Sequence, residues 1–311
     1  MRTSCNGHVA RGRCGDMKTK RLRKLRFLFW LPALLLTAGD AFAWGLYTHV
    51  WFAQSLLWLV PLTDPRFRTA ARKLPGLVMA GACLPDLALV RGIARSEQFG
   101  DSHDWELAAM QIEKAGSDEA RALALGYLSH LLTDIFAHNH FVPAHENVWA
   151  DIPVATHASC EWALDHHVSP QLFATPGQLL KREQGTIRIY LEETFGCASA
   201  EANRLISTLA RADRLLRFSK LPVAAHAAGR IADRRMLRRF NHYLDQTVRR
   251  LPQINGLIAG DCPQWNANPP RHLAHVAISG VSMPKLRSRL SLPTDVFNEP
   301  LTPPSLLGGK G

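Results

Sequence analysis

The chain has 311 residues, 47% of them hydrophobic and 20% charged, and a formal net charge of +11. That length and apolar content sustain one sizeable buried core, which excludes a wholly disordered polymer. The charge is unevenly placed: nine of the 37 Lys+Arg and two of the 26 Asp+Glu precede residue 44, leaving a mild +4 that does not by itself imply a nucleic-acid partner.

The first predicted element is not globular. Residues 17–26, MKTKRLRKLR, form a basic run, Phe27–Ala38 is apolar, and Ala41-Phe42-Ala43 fits the A-x-A rule for signal peptidase. The expectation is a signal peptide over residues 1–43, export to the periplasm or the medium, and a mature chain beginning at Trp44. Residues 1–16 fit this unit poorly, so Met17 is an alternative start. The apolar stretch is short for a membrane span. Four cysteines follow the leader (Cys83, Cys160, Cys197 and Cys262). Export permits disulfides, but their pairing is not legible. No C-x-x-C occurs, which argues against a cysteine zinc site.

Further on, the periodicity is helical almost throughout. Helices are expected over Trp44–Val60, Arg66–Leu74, Asp118–His138, Thr156–Val168, Pro176–Leu191, Ala200–Phe218 and Leu221–Leu251, the last with a break. Leu77–Val90 is apolar and interrupted at Pro85-Asp86, and Glu97–Asp104 reads as a loop. Ser117 with acids in the following turn marks the start of the 118–138 helix. Strand-type alternation is nearly absent, so the fold class is all-α, a compact multi-helix bundle over residues 44–260. Residues 261–311 are Pro-rich with little helical period, and read as an extended tail.

The chemistry concentrates in SHLLTDIFAHNHFVP, residues 129–143. Four residues of α-helix advance about 400°, so His130, Asp134 and His138 share one face. Three polar groups in register on an otherwise apolar helix ask for a common partner, and imidazole with carboxylate is a zinc-binding donor set. His140 lies two residues beyond His138. His157 and Glu161 repeat the four-residue spacing, while His49, Asp86 and His103 lie near a helix start or in loop-like contexts. Nine of the 13 histidines after the leader lie at or before His167. Taken singly, each pair reads as a surface i,i+4 pair and Asp86 as a cap or turn residue. His145, His166, His167, His226, His242, His272 and His275 read as ordinary histidines.

The segments WGLYTH (44–49), LPDLA (84–88), SHDWE (102–106), GYLSHLLTDIFAHNHFVP (126–143) and HASCE (157–161) together resemble the zinc-dependent phospholipase C family, relatives of which include secreted bacterial phospholipases C and fungal single-strand nucleases. The resemblance implies about three Zn²⁺ per chain. It places Asp86, His103, His130 and Asp134 around one ion. Trp44, through its free amine and carbonyl, and His49 hold a second, with Asp134 bridging. His157 and Glu161 hold the third with either His138 or His140. The better-known phospholipases and nucleases select His140 by spacing; a group of bacterial relatives and the helical-face argument select His138. The resemblance also gives Asp86 a catalytic role in orienting or deprotonating water.

The function expected is hydrolysis of a phosphodiester by zinc-activated water, foremost a phospholipase C reaction yielding diacylglycerol and a phosphorylated head group. Glu161 favours this, since the phospholipases tend to carry Glu there and the nucleases Asp. The alternatives are a single-strand nuclease or nucleotidase on the same site, and a non-enzymatic exported zinc-binding protein. WFAQSLLWLV (51–60) could meet a membrane surface, although core packing accounts for it more simply. RRMLRRFNHYLDQTVRR (234–250) could bind phosphates, although a solvated amphipathic face fits it better.

Overall fold

The structure is a computed structural model and describes residues 45–146, 148–149, 153–265, 267 and 295–297. The leader, Trp44, His272, His275 and most of the tail lie outside the described residues. All regular elements are helical: α1 (Leu46–Leu59), α2 (Pro65–Lys73), α3 (Pro75–Gly81), α4 (Leu87–Ala94), α5 (Trp105–Lys114), α6 (Asp118–Phe136), a π-helical turn (Ala137–Phe141) and α7 (Val142–Glu146). There follow α8 (Pro153–Val168), α9 (Pro176–Arg182), α10 (Gln184–Phe195), α11 (Ser199–Ser219), α12 (Leu221–Ala232), α13 (Met236–Val248) and α14 (Ile254–Ala259). Among the described residues there is no strand, and no helix is long and apolar enough to cross a membrane.

Local chemistry explains most boundaries. Asp64 caps α2 by accepting from Arg66 N at 2.7 Å, with Pro65 as the first helical residue. Ser117 Oγ accepts from Ala120 N at 3.0 Å and starts α6. Thr175 and Gln178 form a reciprocal capping box at α9. The 176–191 stretch is two helices rather than one, because Glu183 (φ −96°, ψ 8°) leaves helical geometry two residues before Gly185. Helix α5 was not legible from apolar periodicity; Asp104 starts it by accepting from Glu106 N at 2.7 Å.

Helix α6 is the axis of the molecule. Every residue from Ala122 to Phe136 is buried, and α1, α2, α3 and α5 all pack against it. The approach of α3 is tight. A Cβ at Gly126 would lie 2.0 Å from Val78 O, and one at Gly81 would lie 2.3 Å from Leu123 O. Glycine at both positions lets the two backbones touch.

The expected α6 continues past Phe136, but not as an α-helix. Val142 N donates to Ala137 O, a five-residue span. Pro143 has no N–H and would break an α-helical ladder here, and the wider turn carries the chain through it. Asn139 Nδ2 donates to Ile135 O at 2.9 Å. The described tail residues pack on the helices: Ala267 and Val296 are buried, Gln264 N donates to Val296 O at 2.9 Å, and Trp105 Nε1 donates to Trp265 O at 3.0 Å. Cys83, Cys160, Cys197 and Cys262 are all free thiols.

Candidate metal centre

One end of α6 brings together five residues from four segments. His130 and Asp134 come from α6, His49 from the first turn of α1, Asp86 from the N-terminus of α4, and His103 from the loop before α5. His49, Asp86, His130 and Asp134 are at most 2% exposed. The ligand atoms of His103, His130 and Asp134 lie within 4.8 Å of one another, as do those of His49, Asp86 and His130.

The spacings have a particular meaning. His103 Nε2 lies 3.2 Å from His130 Nε2 and 3.3 Å from Asp134 Oδ2, and His130 Nε2 lies 3.1 Å from the same oxygen. Donor atoms about 2.0–2.1 Å from a tetrahedral ion are ~3.3 Å apart. The three atoms therefore outline one face of such a coordination shell. Asp134 Oδ1 points elsewhere, 3.2 Å from His49 Nε2. The two oxygens of this carboxylate serve two different histidine groups.

Neighbours fix the ring tautomers. Ala82 O can only accept, so at 2.8 Å it takes the His130 Nδ1 proton and leaves Nε2 as a lone pair facing the cluster. Ser102 Oγ donates to Pro85 O at 3.0 Å and so accepts from His103 Nδ1 at 3.1 Å. Thr133 Oγ1 donates to His130 O at 3.0 Å and faces His49 Nδ1 at 3.3 Å. Each imidazole is thereby held with Nε2 inward, the arrangement metal-ligating histidines require. The His49 and His130 rings stack at 3.5 Å.

The electrostatics are those of a cation site. Burial lowers His49 to about 4, with His130 adding to the effect. Burial lifts Asp86 to about 6, although His130 and His103 oppose it. Burial also works against ionising Asp134, but His130 and His49 outweigh it and hold the carboxyl well below its usual range. Burial opposes a proton on His130, and Asp134 and Asp86 outweigh it and raise that ring. Asp134 Oδ1 and Oδ2, His49 Nε2 and His138 Nε2 are buried without a hydrogen bond. Buried polar atoms left so are costly unless something binds them, and converging carboxylates and neutral imidazoles fit zinc.

His138 and His140 diverge. His138 is buried, with its ring 5.4 Å from that of His157, and burial lowers it to about 3. His157 Nε2 lies 2.7 Å from Glu161 Oε1 on α8. His140 packs instead on Trp265, with ring centroids 5.5 Å apart, and burial followed by Arg250 lowers it to about 4. The π turn rotates the two histidines out of a shared direction.

Sequence reasoning missed the residues that hold this cluster from outside. Ser102 and Thr133 adjoin site residues in the chain, but nothing in the sequence marks them. Asp165 extends the 157/161 spacing by four and was legible as a third rung. It is fully buried and accepts from Thr48 N at 2.9 Å. Its other oxygen accepts from Arg217, whose guanidinium carbon lies 3.8 Å over the Tyr47 ring.

The fold and this site define an all-helical protein with a buried His/Asp cluster that could hold a metal ion. Residues 48–197 match the family model described as zinc dependent phospholipase C. No curated protein and no solved structure matches the chain.

Proposed function

We propose that the protein is a zinc-dependent phosphodiester hydrolase acting as a phospholipase C. The observation that carries this reading is the split of the Asp134 carboxylate between His49 and the His103–His130 pair, inside the matched region. His103, His130, Asp134 and Asp86 hold one ion in this reading. His49 holds the second with Asp134 and the Trp44 amine and carbonyl. His138, His157 and Glu161 hold the third, with His140 set aside because it packs on Trp265.

When bound, zinc supplies a water ionised near neutral pH and stabilises negative charge on a phosphoryl oxygen. The chain's own residues arrange the reaction around it. Asp86 begins α4 without a side-chain capping bond, and a carboxylate oxygen of it lies within 4.8 Å of ligand atoms of His49 and His130. It orients the attacking water and takes its proton. The bond formed joins that oxygen to phosphorus, and the bond broken joins phosphorus to the glycerol oxygen. The products are diacylglycerol and a phosphorylated head group.

The test is turnover by the purified full chain on a panel of phospholipids and on single-stranded DNA, with and without chelator. Release of phosphorylated head groups, lost with chelator and restored by zinc, is expected. Nucleotide release in its place would make the protein a nuclease. Bound zinc without any turnover would make the site structural.

A further inference from the structure

Trp58, near the end of α1, and Phe173, in the loop before α9, form a stacked pair on the surface. Their ring centroids are 5.4 Å apart and their planes 15° from parallel. Trp58 is 71% exposed, Phe173 68% and the adjacent Leu59 61%. The pair is not a frayed end. Trp51 Nε1 donates to Gln171 Oε1 at 3.0 Å, Gln54 Nε2 donates to Gln171 O at 2.9 Å, and Phe173 N donates to Gln54 Oε1 at 3.1 Å. Three hydrogen bonds to α1 hold the loop so that both aromatic faces meet water.

These rings stand beside a groove of about 700 Å³ floored by apolar residues such as Leu56, Leu62 and Met79. Among the described residues its only charged lining residues are Arg68 and Arg72, and no Asp or Glu lines it. Both arginines are exposed. Arg68 donates to Leu62 O at 3.3 Å, and among the described residues Arg72 has no carboxylate partner. Exposed tryptophan with flanking cations is the composition that seats a protein in the headgroup layer of a bilayer.

We propose that this face docks on an anionic phospholipid bilayer, with Trp58, Leu59 and Phe173 entering the headgroup–acyl boundary and Arg68 and Arg72 meeting lipid phosphates. The proposal takes from the phospholipase reading only that the substrate lies in a membrane. Trp58 follows His49 by nine residues on one helix, roughly 14 Å along its axis, so α1 is a rigid spacer between the docking face and the metal centre.

The test is sedimentation of the full chain with phosphatidylcholine vesicles and with phosphatidylcholine–phosphatidylglycerol vesicles, at low and high salt. Preferential binding to the anionic vesicles, weakened by salt, is expected. A Trp58→Ala/Phe173→Ala variant should bind at least tenfold more weakly, and Arg68→Gln/Arg72→Gln should lose the preference for anionic lipid. Both should keep the circular dichroism of the wild type and its hydrolysis of a soluble short-chain phospholipid. Wild-type protein that hydrolyses the soluble lipid but ignores vesicles overturns the docking face alone. Vesicle binding with no hydrolysis of any lipid overturns the phospholipase reading and leaves the face standing. Variants that bind like the wild type, or a concentration-dependent dimer abolished by the aromatic substitutions, overturn the proposal.

Discussion

Asp165 caps a helix to which it does not belong: one of its oxygens accepts both the backbone N–H of Thr48, at 2.9 Å, and the Thr48 hydroxyl, at 2.8 Å. Gly45, at the N-cap of α1, has no side chain to do this, and a Cβ there would lie 2.3 Å from Asp165 Oδ2. The residue that positions the start of α1, and with it His49, therefore comes from α8. Replacing Asp165 by Ala removes the cap and strips Arg217 of a buried partner. The expected loss is about 2–4 kcal/mol of stability in urea denaturation. Asp165→Asn, which keeps an acceptor for Thr48, should lose less.

Asp134→Asn tests the bridge. Its two oxygens face different histidine groups, so the substitution should lower the zinc bound per chain by more than one ion, measured by mass spectrometry of the purified protein. A loss of one ion or none would show that the carboxylate serves a single metal.

His145 gives a pH dependence away from the cluster. It is fully buried among Phe141, Trp149, Phe240 and Tyr243. Burial lowers it from 6.5 to about 3, with the Phe141 carbonyl opposing. The unfolded ring takes up a proton as pH falls below about 6.5, while the folded ring does so only near 3. Its contribution to stability is thus whole above 6.5 and drains away between 6.5 and 3. His145→Phe should show a shallower fall in melting temperature across that window. His49, His138 and His140 are also lowered by burial and retain the remaining slope.

Gly126→Ala should be among the most damaging single-methyl additions. The new Cβ meets Val78 O at 2.0 Å and Ala82 N at 2.8 Å, both backbone atoms that cannot swing aside. Pushing α3 outward also withdraws Ala82 O from His130 Nδ1. Overpacking of this kind costs about 1–3 kcal/mol or more. Denaturation should report that loss, and zinc content should fall with it.

If the A-x-A site is used, N-terminal sequencing of exported protein should begin at Trp44. A start at any other residue would falsify the assignment of the Trp44 amine to the second ion.

The legible part of the site was the part written on single helices. His130 with Asp134, and His157 with Glu161, follow from a four-residue spacing that survives folding because the helices are regular there. The start of α6 at Ser117 was legible for the same local reason, whereas α5, capped by Asp104, was not. What the chain did not reveal depends on other segments. The π turn arises from Pro143 meeting a buried helix. Ala82 O becomes a tautomer lock only because Gly81 and Gly126 let α3 close on α6. Asp165 serves α1 from 117 residues away. The two readings of His138 and His140 stayed open because spacing alone assumes one continuous helical pitch.

That turn works as a phase shifter. Up to Phe136 the helix keeps time with His130 and Asp134, and each fourth residue returns to the cluster. Over Ala137–Phe141 the chain takes one more residue per turn, and from there the beat belongs to another partner. Phe141 and His145 fall against Phe240 and Tyr243, in an aromatic pack. One stretch of helix thus serves two environments of different character without a loop between them. Removing a single residue at Asn139 would leave the sequence on either side untouched and set those two halves out of step by about 100°.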